Sequence, residues 1–531
     1  MNTQVLIIGS GGAGLSAALH AKQAGAKVIV ASKTMPTNGQ TCMAQGGINA
    51  SFESSEVEAH ISDTMRSSHG LASQKMVEMM CQQSSKALNW LVDIGVAFSR
   101  DEQNNLEKRF MGGASLKRTY YAQDYTGLKI LHTLYDQSLK EEIEFRSNYF
   151  FLNLIVHEQR VEGATFLDIS NGEVVSIEAS SVVLATGGYS GVYHGFTTNG
   201  YGSSGDAIVA VVRAGGVVSD LEFVQFHPTA LKNSSILISE AARGEGGYIL
   251  NSDNQRFVDE LLPRDVVARA IAKEIESGKN VFLDLRHLGA QKIQHLLPQE
   301  YKLCKLHEGI DMTTQLVPIK PVAHYTMGGI EVDLNLEVSG IKGCFAVGEC
   351  SNAHIHGANR LGGNSLLEII AMGKIAGENA VRIKPKEPPQ NSTQLQNDKR
   401  FIAGVYNFTN QINFYEKREF LGKILYHNAG ILRNDTGLKA GLAAVRQMQK
   451  EFSFMGIGDK SKTNNTNLVE FVEFGNTLEV VEMLLVGALH RNESRGAHFR
   501  EDFNEENETF KAHSIFWKED GVLCANFKGI K

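Results

Sequence analysis

The chain is poor in the residues that hold metal clusters. Its 531 residues include six cysteines, Cys42, Cys81, Cys304, Cys344, Cys350 and Cys524, and no two of them form a C-x-x-C pair. The usual iron–sulfur and zinc spacings are therefore excluded within this chain, and free thiols of a reducing compartment are the expected state. If the chain handles electrons, they must leave through something encoded elsewhere. No run of roughly 18 or more apolar residues occurs, so no transmembrane helix is expected. The chain enters a strand by Gln4 with no basic segment, twin arginine or cleavage site before it, so no export signal is expected. A net charge of −7 leaves no basic excess for nucleic acid. No G-x-S-x-G elbow is present, which removes the usual serine nucleophile.

What is present concentrates at the start. A strand (Gln4 to Ile8), a glycine turn and a helix (Gly12 to Ala24) lead into a second strand, Lys27 to Ala31. The turn, Gly9-Ser10-Gly11-Gly12-Ala13-Gly14, fits G-x-G-x-x-G. In that pattern Gly9 permits the tight turn, Gly11 lets the backbone approach a pyrophosphate, and Gly14 lets helix and strand pack closely. The helix start then offers free N–H groups to phosphate. No acidic residue follows the second strand, where Ser32-Lys33 stands, and this argues against NAD. The loop Gly39 to Gly47 either wraps a flavin or is an ordinary surface loop.

Helical apolar spacing runs from Glu56 to Val92, and a long amphipathic helix ends near Glu141. Strand-like segments follow from Glu144 to Glu178, and the apolar run Val182 to Ala185 ends in Gly187-Gly188. Unusual residues then gather in glycine-framed stretches: His227, Arg243, Arg264, His324 and Arg360. If they converge, a small dicarboxylate is the natural ligand, because arginine forks suit carboxylates. Each arginine taken alone fits a structural ion pair equally. His354 and His356, with His324, lack a recognised metal pattern, and no metal is expected. A glycine-rich loop at 356–363 opens a second helix, Ile369 to Ala380. Residues Lys384 to Asp398 read as a linker, and Lys399 to Arg491 read as helical.

The stretches GSGGAG (9–14), QGG (45–47), RTYYAQDYTG (118–127), FHPTA (226–230) and SEAARGEGGY (239–248) occur in family order. So do PRDVVARAI (263–271), PVAHYTMGGIEVD (321–333), HGANRLGGNSLLE (356–368) and RNESRGAH (491–498). Together they resemble the flavoprotein subunits of the succinate dehydrogenase and fumarate reductase family, to which L-aspartate oxidase is related.

The resemblance implies an α/β fold. A Rossmann-like FAD-binding domain (1–220 and 326–384) would carry an inserted α+β capping domain (221–325). A linker (385–398), a helical domain (399–495) and a small C-terminal region (496–531) would follow. It implies FAD held by Gly9, Gly11, Gly12, Gly14, Ser32, Lys33, Gln40, Thr41, Gln45, Gly46, Gly47, Asp206, Glu349, Ser365 and Leu366. It implies a C4-dicarboxylate bound by His227, Ser239 (commonly Thr in the family), His324 and Arg360. Arg264 falls at the family's proton donor, and Glu240 and Arg243 match the relay behind it.

An iron–sulfur subunit is the implied partner, with a membrane anchor or other electron-transfer subunit beyond it. The implied location is the cytoplasm, or the cytoplasmic face of the inner membrane through those subunits. Two positions depart from the pattern. Gln40 stands where membrane-bound members carry the histidine that links covalently to the flavin, so non-covalent FAD is expected. Met111 replaces the usual Phe of dehydrogenases and the Glu with which aspartate oxidases meet the substrate amine. This favours succinate and fumarate, with L-aspartate oxidase the alternative.

Overall fold

The computed structural model describes residues 1–384 and 392–529. The first strand, Asn2–Ile8, is parallel to Val28–Ser32 on one side and to Glu173–Leu184 on the other. Glu144–Ser147 continues the sheet parallel to Val28–Ser32, and Cys344–Ala346 adds parallel to Glu173–Leu184. Tyr149–His157, Arg160–Asp168 and the front half of Glu173–Leu184 form an antiparallel meander that widens the same sheet. Val28–Ser32 is buried along its whole length, as expected for a strand covered on both faces.

The glycine spacing explains how the first helix sits. Gly9 has φ +110°, and a Cβ there would lie 2.2 Å from Ala185 O. A Cβ on Gly14 would lie 1.9 Å from Gly9 O, so the helix Gly12–Gln23 can rest on its own strand only without that side chain. The helix Asn364–Val381 crosses it closely. Gly373 and Gly377 meet the Ser16 and Ala17 segment there, and Ser16 Oγ donates to Ile370 O at 2.9 Å.

A second layer has its own sheet and core. Val224–Leu231 pairs antiparallel with Val317–Thr326, then come Val281–Asp284 and Tyr248–Asn251. Its core includes Leu231, Ile249, Val267, Leu283 and Val317. Both ends of this insertion return to the main body through the first and last of these strands, at Val224 and Thr326. Val224 pairs with Thr326, so the chain enters and leaves this layer side by side.

Beyond it stand the helices Thr393–Val405, Phe414–Asn428, Asp435–Glu451 and Thr466–His490. The helical span read from Glu56 to Val92 is two helices, Ser54–Ser67 and Gln74–Asp93. They break where His69 and Gly70 take positive φ. The linker reading needs correcting as well. Residues 385–391 lie outside the described residues, and Thr393 to Asp398 are helical. Ser392 caps that helix by accepting from Leu395 N at 3.3 Å, and Asp398 is buried, accepting from Asn153 and Thr165. Polar composition alone could not reveal a cap and a buried anchor.

The C-terminal hairpin, Ala512–Glu519 with Val522–Gly529, is not a separate appendage. Its first strand pairs antiparallel with Val218–Ser219. Side chains fix the join. His513 Nδ1 lies 2.6 Å from Asp220 Oδ2, Asn352 Nδ2 donates to the same oxygen at 2.8 Å, and Ser514 N donates to Asp220 Oδ1 at 3.1 Å. Burial disfavours the Asp220 carboxylate, but His513 and then Arg491 and His354 outweigh it and hold the group down at about 2. A depressed carboxyl contributes stability above its unfolded value and loses it as pH falls toward the folded value. Asp220→Asn should therefore lower the thermal midpoint at pH 7, and the difference from the native protein should shrink between about pH 4 and pH 2. Thermal melts of both proteins across that range check it.

Candidate active site

The cavity of about 450 Å³ lies at the carboxyl ends of the parallel strands. Gly9, Gly11 and Gly12 form part of its wall, as do Ser32, Lys33 and Asp206. Gln40, Thr41, Gln45, Gly46 and Gly47 line it from the loop that follows, and Glu349, Ser365 and Leu366 line it from the opposite side. Gly14 is not in the wall and lies beneath it, against Gly9. Two helices begin at this cavity without a side-chain cap, at Gly11 and at Gly363. Gly12 N donates to Thr41 Oγ1 at 3.0 Å. Beyond the first N–H of each helix, which Thr41 Oγ1 and Leu361 O take up, the starts of two helices face one cavity and suit an anion such as a diphosphate.

The rest of this end is open and faced by buried polar groups. A Cβ on Gly11 would come no nearer to another residue than 3.5 Å, from Thr41 Oγ1, so the glycine leaves the cavity open rather than relieving a protein clash. Gln45 Oε1 is buried there without a hydrogen-bond partner. Glu349 Oε1 accepts from Thr326 N at 2.9 Å and Oγ1 at 3.2 Å, yet burial pushes its carboxyl up to about 7. Lys33 and Asp206 meet each other, Nζ to Oδ2 at 3.0 Å, and Lys33 also reaches Glu473 at 2.7 Å. Glu473 belongs to Thr466–His490, so the helical part braces the cavity wall.

The other end of the same cavity is polar and cationic. His227, Ser239, Glu240, Arg264, His324 and Arg360 line it. Arg243 is buried behind them and is not in the wall. Arg264 donates from Nε to Glu240 Oε2 at 2.7 Å and from Nη1 to Gln225 Oε1 at 3.0 Å. Arg360 Nη2 donates to the same Gln225 oxygen at 3.2 Å, and its guanidinium lies 4.2 Å from the Tyr325 ring centre. Glu240 Oε1 accepts from Gly112 N and lies 3.9 Å from Arg243 Nη2. The His227 and His324 rings are 4.9 Å apart, and Thr198 Oγ1 is 2.7 Å from His324 Nδ1.

Charge in this pocket is unbalanced. Three guanidiniums surround one carboxylate. Burial disfavours the Glu240 carboxylate, but Arg264 and Arg243 more than offset this and hold it below its ordinary value. Burial, then Arg264, pushes His227 and His324 well below theirs, so both rings are neutral. Burial lowers Arg360 to about 10, with Arg264 adding to the effect. Arg360 Nε and Arg243 Nε and Nη2 are buried without a partner. Buried donors in excess of acceptors, with net positive charge, suit a small dianion.

Sequence reading overlooked Gln225, which bridges two arginines. Its signal was available, because Gln225 and His227 are two apart on one strand and share a face. Glu300 was also overlooked. It accepts from Ser239 N at 3.0 Å and comes from the distant helix Pro298–Glu308. Met111 is buried in the wall, against Gly46.

The histidines weighed as metal ligands diverge. His356 meets Glu368 at 2.8 Å, His354 meets Glu331 at 3.0 Å, and His324 stays in the cavity. Asp220, His354 and His513 do bring ligand-type atoms within 4.8 Å of one another, but the first and last are already engaged in the ion pair that anchors the C-terminal hairpin.

Comparison with known proteins places this architecture. Residues 4–366 match the family described as FAD binding domain, and residues 418–525 match the fumarate reductase flavoprotein C-terminal family. The 8-methylmenaquinol:fumarate reductase flavoprotein subunit of Wolinella succinogenes is 39% identical, over 99% of this chain and 90% of that protein. The succinate dehydrogenase flavoprotein subunit of Rickettsia bellii is 34% identical, over 95% and 91%. A solved quinol fumarate reductase flavoprotein of Escherichia coli, a point mutant, superposes with a TM-score of 0.95 at 33% identity, covering 100% of this chain and 97% of that one. With a nucleotide-shaped cavity at one end, a dianion-seeking pocket at the other and likeness along its full length, the chain belongs to the fumarate reductase and succinate dehydrogenase flavoprotein-subunit family.

Proposed function

We propose that the chain is the catalytic flavoprotein subunit of a succinate dehydrogenase/fumarate reductase, interconverting succinate and fumarate and exchanging electrons with an iron–sulfur partner. The observation that carries this reading is Arg264, held between Glu240 and Gln225 in the wall of one cavity whose far end suits a dinucleotide. The FAD-binding family match supports FAD as the cofactor. The wall residues Gly9, Gly11, Gly12, Ser32, Lys33, Gln40, Thr41, Gln45, Gly46, Gly47, Asp206, Glu349, Ser365 and Leu366 would hold it, with Gly14 acting as the packing contact beneath. Bound FAD supplies the two-electron chemistry.

The remaining work belongs to side chains of this chain. Arg360, His227, His324 and Ser239 bind the two carboxylates. Neutral imidazoles donate one hydrogen bond each, so their contribution does not depend on protonation near neutral pH. Arg264 gives its proton to the substrate carbon in the reductive direction. An arginine is normally always protonated, so its neutral form must be brief. A proton arriving from outside the pocket by way of Arg243 and Glu240, which lies 2.7 Å from Arg264 Nε, restores the guanidinium. Because its neighbours favour the carboxylate, Glu240 conducts protons rather than storing one. The layer built on residues 221–325 carries His227, Ser239, Glu240 and Arg264 over the dicarboxylate end and so acts as a cap that excludes water.

Met111 offers no carboxylate to an ammonium group, and the L-aspartate oxidase alternative draws no support from the relatives above. Those relatives are subunits by name, and this chain has no cluster-type cysteine spacing, so an iron–sulfur subunit is the fitting electron partner. Among the described residues no helix is long and apolar enough to cross a membrane, so any membrane attachment would run through partner subunits.

Anaerobic mixing of the purified flavoprotein with succinate, and separately with L-aspartate, tests the reading through the oxidised-flavin absorbance. Bleaching by succinate, or reoxidation of the pre-reduced protein by fumarate, is expected. Bleaching by L-aspartate, or a response to neither dicarboxylate, would overturn it. Arg264→Ala should keep flavin bound and lose at least about a hundredfold in turnover, the scale of a positioned acid; turnover near the native rate would remove Arg264 from that role. Gln40 has no ring nitrogen to bond the flavin, so acid precipitation should leave the flavin in the supernatant. Yellow colour retained in the pellet would contradict non-covalent binding.

A further inference from the structure

Gln225, Asn359 and Asp265 lie outside the cavity wall, yet one chain of hydrogen bonds runs through all three to both pocket arginines. Gln225 is fully buried and pairs in register with Tyr325, whose ring carries the Arg360 guanidinium. Its Oε1 accepts from Arg264 Nη1 at 3.0 Å and from Arg360 Nη2 at 3.2 Å. Its Nε2 donates to Asn359 Oδ1 at 2.7 Å and to Arg360 O at 2.8 Å. Asn359 Nδ2 in turn donates to Asp265 Oδ1 at 2.9 Å, and Asp265 Oδ2 accepts from Arg269 Nη2 at 2.8 Å.

The ends of this chain fix its direction. Guanidiniums only donate, and a carboxylate only accepts. The two amides between them are satisfied in one orientation alone, with oxygen toward the arginines and NH2 toward Asp265. Bonds aligned head to tail in this way reinforce one another. The Gln225 oxygen has a definite task at the far end. Arg264 reaches Glu240 through Nε at 2.7 Å and Nη2 at 2.6 Å, but both meet the same oxygen, Oε2. That is one anchor point, about which the guanidinium can still turn. Nη1 on Gln225 supplies a second point and fixes its plane. Arg360 is held on its face by Tyr325, and Gln225 fixes its edge.

We propose that Gln225, Asn359 and Asp265 are positioning residues: their polarised chain keeps the Gln225 oxygen on both arginines and so aims Arg264 at a dicarboxylate held by Arg360. Arg264 and Asp265 begin the cap helix Arg264–Glu276, whereas Asn359 and Arg360 belong to a loop of the body. The chain is therefore complete only while cap meets body, and the donor is aimed only in the closed site. The inference rests on the dicarboxylate reading of the cavity and on Arg264 as the proton donor. It adds to that reading three residues outside the cavity wall and the reason that closure and proton donation go together.

The test compares two readouts of the FAD-loaded protein at neutral pH: kcat for fumarate, driven by reduced methyl viologen, and the Kd for malonate from the flavin spectrum. Malonate is a dicarboxylate with no bond to reduce or oxidise, so it reports binding alone. Gln225→Met keeps the side-chain length and removes the acceptor. Its kcat should fall about a hundredfold, the scale of a misplaced reacting group, while its malonate Kd rises less than about tenfold, the scale of one hydrogen bond. Asp265→Asn turns its oxygen to Arg269 and its NH2 to Asn359, which reverses both amides and sets the Gln225 NH2 against the guanidiniums; kcat should fall likewise. Asn359→Asp alone faces one carboxylate with another and should also be slow. Combining Asp265→Asn with Asn359→Asp restores the direction of the chain, because an amide at 265 then donates to a carboxylate at 359 that still accepts from Gln225 Nε2. The double variant should recover most of the lost kcat, a coupling that independent packing defects would not show. A kcat near native in Gln225→Met, a malonate Kd that rises as far as kcat falls, or a double variant no faster than its slower parent would overturn the proposal. Gln225→Met decides the matter alone if an exchange variant does not fold. No spectral response to malonate and no fumarate turnover in the native protein would instead refute the dicarboxylate reading, and the inference with it.

Discussion

The site depends on one buried carboxylate. Glu240 accepts from Arg264, faces Arg243 and accepts from the backbone N–H of Gly112. Those three partners come from the cap helix Arg264–Glu276, from the helix of Glu240 itself and from the body loop around Met111. Breaking a buried ion pair by removing one partner costs several kcal/mol, because the survivor is left charged and unsolvated. Without Glu240 the two buried guanidiniums of Arg243 and Arg264 would stand unscreened beside each other. The carboxylate therefore sets both the separation of the arginines and the closure of cap on body. It does not neutralise them fully, and the remaining positive charge is what makes the pocket attract a dianion.

The same logic governs the flavin end with opposite means. There the attraction for phosphate comes from two helix starts left without side-chain caps, not from a crowd of arginines. The nearby lysine, Lys33, is committed to Asp206 and Glu473. Backbone dipoles cannot be titrated and need no counter-charge, so they leave the cavity wall intact over a wide pH range. The guanidiniums of Arg264 and Arg360 line the other end.

Legibility in the sequence followed locality. The turn at 9–14 could be read because its pattern lies within one strand–turn–helix unit, where Gly14 rests on Gly9 O, even though Gly9 and Gly11 face Ala185 and Thr41 from elsewhere in the chain. The glycine loop before the second helix was readable too, but that helix begins at Asn364, not at Ile369. Gln225 was within reach, since strand alternation puts it beside His227, but a glutamine carries no chemical signature of its own. Glu300 was out of reach, because only the packing of Pro298–Glu308 on the body brings it to Ser239. The helix that begins at Thr393 was hidden by a polar composition that serves equally for a linker and for a capped helix with one buried acid. The roles of Arg264, Glu240 and Arg243 came from resemblance and not from spacing, since nothing local distinguishes an arginine that will face a substrate from one that will pair on a surface.

The two kinds of buried acid in the cap then acquire a common reading. Glu240 and Glu300 stand on either side of Ser239, one in the pocket wall and one behind it, and both are almost wholly buried. Glu240 is surrounded by guanidiniums and is kept ionised; Glu300 meets another carboxyl and is kept neutral. The same kind of side chain is thus held charged in one place and uncharged in the other. Neighbouring charge decides between the two uses, because burial acts on both in the same direction. The fold separates the two states by placing arginines in front of Ser239 and an aspartate behind it.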